Sequence, residues 1–136
     1  MCGGVYYLID GEEVRTYFPN PKARLPVKKK GGGVELLPWG RRQGQAGRLP
    51  LGGWARLDAI YEGRWDRWSP KPVKLRVSQF MEKDIEGHGH WFDLTPGKWI
   101  QGLVARSGNE RRVYVVTITP ELADAVHERW PRILSG

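Results

Sequence analysis

The sequence has 136 residues, a net charge of +7 and a single cysteine. That length suits one domain with a true hydrophobic core, since chains of this size bury roughly 70% of their unfolded surface, and 40% hydrophobic with 11% aromatic residues excludes a disordered chain. One cysteine excludes an internal disulfide and a cysteine-cluster metal site, and no apolar run reaches the roughly 18–20 residues that cross a bilayer or resembles a signal peptide, so a cytoplasmic protein is expected.

From the N-terminus, residues 5–9 and 14–18 are β-branched and aromatic runs separated by Asp10-Gly11-Glu12-Glu13, which predicts a hairpin. Residues 28–33 form a basic, glycine-rich loop without the spacing or terminal Lys-Ser/Thr of a phosphate-binding loop, so no nucleotide site is read there. Residues 44–53 read as irregular. Further strands are predicted over 73–77, 91–94, 99–105 and 112–119. Thr119 then reads as an N-cap before Pro120, opening a helix to about residue 129 that Pro131 ends. There is no internal repeat and no linker. The expected fold is α+β, a single strand-dominated domain over residues 1–136 with few helices.

Charge is unevenly placed. Residues 15–56 hold ten basic side chains and one acid, Glu35, so this stretch carries +9 and the remainder −2. Such a block predicts a face for a polyanion, because each neutralised phosphate releases counterions. A solvated Lys/Arg-rich surface is the plainer alternative. Trp39, Trp91 and Trp99 alternate with strand residues, which predicts packing. Trp54, Trp65 and Trp68 lie among Arg56, Arg64 and Arg67, where stacking on bases beside phosphate contacts is an alternative to core packing.

Cys2 is the sharpest chemical feature. Removal of Met1 would expose an α-amine and a thiol on adjacent atoms, and an α-amine with a pKa of roughly 7.7–8.0 is partly neutral and nucleophilic near neutrality. A 1,2-aminothiol attacks an aldehyde to give an imine and then closes a thiazolidine. Glu86, His88 and His90 cluster possible metal ligands, but flexible glycines and the lack of a fourth ligand at a recognised spacing favour a polar turn.

Met1-Cys2-Gly3, Leu37-Pro38-Trp39-Gly40, Ala55-Arg56-Leu57-Asp58, Phe80-Met81-Glu82, Gln101-Gly102-Leu103 and His127-Glu128-Arg129-Trp130-Pro131-Arg132-Ile133-Leu134 occur in this order along nearly the whole chain. Together they resemble the SOS-response-associated peptidase (SRAP) family. The resemblance implies a mostly antiparallel sheet or barrel, and a DNA-damage-response protein whose processed cysteine cross-links to abasic sites in single-stranded DNA. Carried over, Cys2 is the nucleophile, Glu82 an acid/base group that also serves self-removal of the leading residue, and His127 a proton carrier beside the opened sugar. Arg56 is a phosphate contact; Arg41, Arg42 and Arg48 of the basic block, with Trp39 and Trp54, are expected on the same DNA-binding surface. A monomer is expected, nucleoid-associated if bacterial, with no cofactor, metal or membrane partner.

Two positions depart from the family. Trp54 stands where the family has asparagine, which implies loss of a positioning amide, and Gly4 stands where it has arginine. Read without the resemblance, Glu82 is a solvated acid in a charged turn and His127 a favourable cation near a helix end. Two other functions stay open: a family relative that binds single-stranded nucleic acid without covalent chemistry, and a peptidase acting on other proteins.

Overall fold

The computed structural model describes residues 1–119 and 129–136. Residues 120–128 of the predicted helix, with His127, lie outside the described residues. Strands dominate. The first hairpin joins β1 (Cys2–Ile9) to β2 (Glu12–Tyr17). Its turn is tighter than expected, because Asp10 and Gly11 both take positive φ (50° and 79°) and Ile9 already faces Glu12. Two successive positive-φ residues match the right-handed twist of a hairpin.

The fold next forms β3 (Arg24–Lys28), β4 (Val34–Pro38) and the short β5 (Trp54–Arg56). One helical turn, α1 (Leu57–Tyr61), and a 3-10 turn (Asp66–Trp68) follow. The second half supplies β6 (Lys71–Leu75), β7 (Gln79–Lys83), β8 (Gly89–Asp93), β9 (Lys98–Ser107) and β10 (Glu110–Ile118). The chain closes with β11 (Trp130–Pro131) and β12 (Ile133–Ser135). Pro131, expected to stop a helix, is buried in β11, where its missing N–H is tolerated on a two-residue edge strand.

Two sheets result. The smaller has the order β2-β1-β7-β8 and is antiparallel throughout. The larger runs β11-β10-β9-β6-β3-β4, with β12 on β9 and β5 parallel to β10. A bridge from Trp39, just past β4, to Val113 of β10 curls this larger sheet back on itself. Strand alternation divides its residues between two cores. Ile100, Val104, Val113 and Val115 join Cys2, Val5 and Phe80 in the interior cluster. Leu103, Ala105, Tyr114 and Val116 point the other way, under α1 and Trp65. No described helix is long and apolar enough to cross a membrane.

Candidate functional site

The site begins with a break in register. Along β1 and β7, Val5 faces Phe80 and Gly4 faces Met81, yet Cys2 faces Glu82. Two steps on β1 thus match one on β7, a β-bulge centred on Gly3. A bulge moves every residue beyond it by one position, and in a strand one position changes the face. Without it Cys2 would oppose Lys83 and share the side of Gly4. With it, Cys2 turns into the interior beside Phe80 and Glu82, and both Cys2 and Glu82 are fully buried. The Gly3-Gly4 pair was the available sequence signal, because glycine inside a strand often marks a bulge.

Burial sets the chemistry of both groups. The Cys2 thiol lies 3.5 Å from the Gly4 carbonyl. Loss of solvent, and secondarily the charge of Glu82, push its pKa far up, so the sulfur is held as a thiol. Burial likewise pushes Glu82 up to about 7, against the opposing pull of the N-terminal ammonium. That ammonium, on Met1, lies 2.8 Å from Glu82 Oε1. Beyond this ion pair, neither carboxylate oxygen has a hydrogen-bond partner among the described residues. The structure therefore corrects the reading of Glu82 as a solvated acid in a turn: it lies within β7, and the polar turn starts at Asp84.

Trp54 also touches Cys2. Its Nε1–H donates to the Cys2 carbonyl oxygen at 2.7 Å, so position 54, where loss of an amide is expected, holds a hydrogen-bond donor. The indole is wedged between Phe18 (ring centroids 4.8 Å apart) and Trp39 (6.4 Å), which fixes the direction of its N–H. Gly53 makes this packing possible. A Cβ there would lie 2.6 Å from the Phe18 ring and 2.8 Å from Trp39 Nε1, while the Gly53 carbonyl accepts that same Nε1–H at 3.0 Å. Two residues along β5, and so on the Trp54 side of the strand, Arg56 is exposed and forms a two-point pair with Asp58 at 3.1 and 2.9 Å.

The other sequence-derived DNA contacts do not gather around Cys2. Trp39 is fully buried, packs against Phe18 and Trp54, and presents no face to a ligand, which corrects its placement on a DNA-binding surface. Arg41 donates to the carbonyls of Gln45 and Leu49, and Arg42 donates to the Phe18 carbonyl at 2.6 Å while covering the Phe18 ring. Both guanidinium groups thereby hold the irregular 42–50 loop. Arg48 is exposed, and its backbone N–H is fixed by Glu110. Trp65 is buried against Tyr114, and Trp68 is half-buried beneath Arg67. The Glu86, His88 and His90 group is organised by Asp84. Its carboxylate accepts the backbone N–H groups of Glu86 and His88 and lies 2.7 Å from His90 Nε2, and the His90 contact leads the interactions that hold it down to about 2.

Gly4 is closely approached by a side chain of the neighbouring strand. A Cβ at that position would lie 2.9 Å from the Tyr17 ring across the β1–β2 pair. No protein-family model matches this sequence, and no curated protein matches it.

Proposed function

We propose that the protein binds single-stranded DNA and, once Met1 is removed by an aminopeptidase or by the chain itself, joins covalently to the aldehyde of an abasic site through Cys2. The single observation that supports this most is the buried Cys2–Glu82 pair with the N-terminal ammonium on the Glu82 carboxylate. Removing Met1 would place the new α-amine on Cys2, the residue already in register with Glu82.

The chemistry follows from the two raised pKa values. A carboxyl near 7 is divided between acid and base at neutral pH, which suits both proton transfers of imine formation. As base, Glu82 takes a proton from the amine as nitrogen bonds to the aldehyde carbon. As acid, it protonates the hydroxyl that leaves as water. The buried thiol then adds to the imine carbon, its proton passing to nitrogen, and a thiazolidine closes with net loss of one water. Because the sulfur is held as a thiol, the amine attacks first. The Trp54 donor on the Cys2 carbonyl fixes the residue that carries both nucleophiles, and such orientation contributes to rate. His127 keeps the proton-carrying role that the resemblance implies, and Arg56 that of a phosphate contact. The strand-dominated, mostly antiparallel fold is compatible with the sheet or barrel that the resemblance implies.

With Met1 in place, the Cys2 nitrogen is an amide and Glu82 is occupied, which favours the non-covalent reading for that form of the chain. Denaturing electrophoresis with abasic single-stranded DNA separates the two. Met1-free protein should give a retarded band and Met1-retaining protein none. Absence of the band from folded, Met1-free protein would leave non-covalent binding as the function.

A further inference from the structure

Beside α1 and the β3–β4 hairpin, a groove of about 1000 Å³ is lined by residues of the larger sheet. Its floor includes Val73 and Leu103, with Leu57, Ile60 and the 73%-exposed Tyr61 along one side. The groove reaches the β9–β10 hairpin end of the sheet, at Arg106 and Arg111, whereas Trp54, which holds the Cys2 carbonyl, pairs with Val115 further along β10.

The charge of this groove is extreme. Lys28, Lys29 and Lys30 enter from the β3–β4 hairpin, and Lys71 and Lys74 from β6. Arg106, Arg111 and Arg132 bring the total to eight cations against one carboxylate, Glu35. That excess of seven equals the net charge of the whole chain. Glu35 is engaged by Arg111 through two hydrogen bonds of 3.0 and 3.2 Å. Lys28 and Lys74 are steadied over the Trp99 ring at 5.8 and 5.7 Å. Lys28, Lys30 and Arg106 are exposed and have no ion-pair partner among the described residues.

We propose that this groove is a second binding track for single-stranded nucleic acid, separate from the Cys2 site, in which the lysines and Arg106 hold successive phosphates and Tyr61 stacks on a base. Cations spaced along a groove with an apolar floor and an exposed aromatic ring match the two features of a single strand, its charged backbone and its stackable bases. A bilayer surface is the poorer fit, because a flat headgroup layer cannot enter a concave groove. The proposal goes beyond the covalent function and does not depend on Cys2.

The test uses the whole chain with Cys2→Ala, which removes the thiol, and a short fluorescent oligothymidylate without abasic sites, followed by anisotropy across a salt series. If about four phosphates are held, the slope of log affinity against log salt should be near −3, at roughly −0.7 per phosphate. Lys29→Gln with Lys71→Gln and Arg106→Gln should make the slope shallower by about 2 and weaken binding roughly tenfold at low salt. Tyr61→Ala should weaken binding roughly tenfold with the slope unchanged. Lys29→Arg with Lys71→Arg keeps the charge and should bind as the parent does, which separates charge loss from misfolding. Unchanged affinity and slope in the folded glutamine variant would overturn the proposal, as would binding of phosphatidylserine vesicles in place of the oligonucleotide. Failure of the abasic-site adduct would not affect it.

Discussion

Glu82 carries a cost that the fold retains. A carboxylate without solvent is disfavoured, so its folded pKa of about 7 stands above the unfolded value of 4.5. Between those values the folded chain binds more protons than the unfolded chain, and stability therefore falls as pH rises. The difference corresponds to about 3 kcal/mol, fully lost once pH exceeds 7. Glu82→Gln should flatten this segment: its denaturation midpoint should change little between pH 5 and 8, whereas the parent's midpoint should fall. Parallel profiles would mean that the carboxyl is ionised at low cost. Trp54 gives a second prediction at this scale. Trp54→Phe keeps the ring against Phe18 and Trp39 but removes the donor to Cys2, so adduct formation should slow about tenfold with a stability loss of about 1 kcal/mol. Trp54→Asn supplies the asparagine that the resemblance implies but vacates an aromatic cluster. It should destabilise the fold by about 3 kcal/mol, as large-to-small core changes do, and so should not accelerate the reaction.

At the scale of elements, the bulge between β1 and β7 determines what Cys2 can reach, and the tight approach of Tyr17 determines why Gly4 is glycine. Gly4→Arg should therefore destabilise the chain by about 1–3 kcal/mol through overpacking. Adding Tyr17→Ala should recover part of that loss in chemical denaturation. Equal stability of Gly4→Arg and the parent would mean that Tyr17 moves aside freely. Which elements were legible follows from the same local physics. Strands β1, β2, β6, β8, β9 and β10 overlap predicted runs, because β-branched and aromatic residues dominate them. β3 was missed because Pro26 and three lysines obscure it, although it pairs along its length with β4. β7 was missed because Glu82 and Lys83 give it a charged ending, and only tertiary packing shows that Glu82 is interior.

Over the whole molecule, sequence proximity and spatial proximity of charge diverge. The 15–56 block does not form one face: Arg15 lies over Tyr6 and Trp91, Arg41 and Arg42 hold a loop, and Lys28–Lys30 line the groove beside α1. Conversely, Lys71, Lys74, Arg106, Arg111 and Arg132 come from the part of the chain whose net charge is −2, where summing along the sequence conceals them. Cys2 stood out in the sequence because removal of Met1 would expose an amine beside its thiol. Its burial and its register with Glu82 were not, since both depend on strands far apart in the chain. The most direct test of the covalent function is the intact mass of Met1-free protein after incubation with an abasic oligonucleotide under denaturing conditions of detection. The expected species is one protein plus one oligonucleotide less one water, stable in the parent but surviving in Cys2→Ser only after borohydride reduction, because serine leaves the imine without the sulfur that closes the ring. Unmodified protein, or an adduct equally stable without reduction in Cys2→Ser, would contradict it.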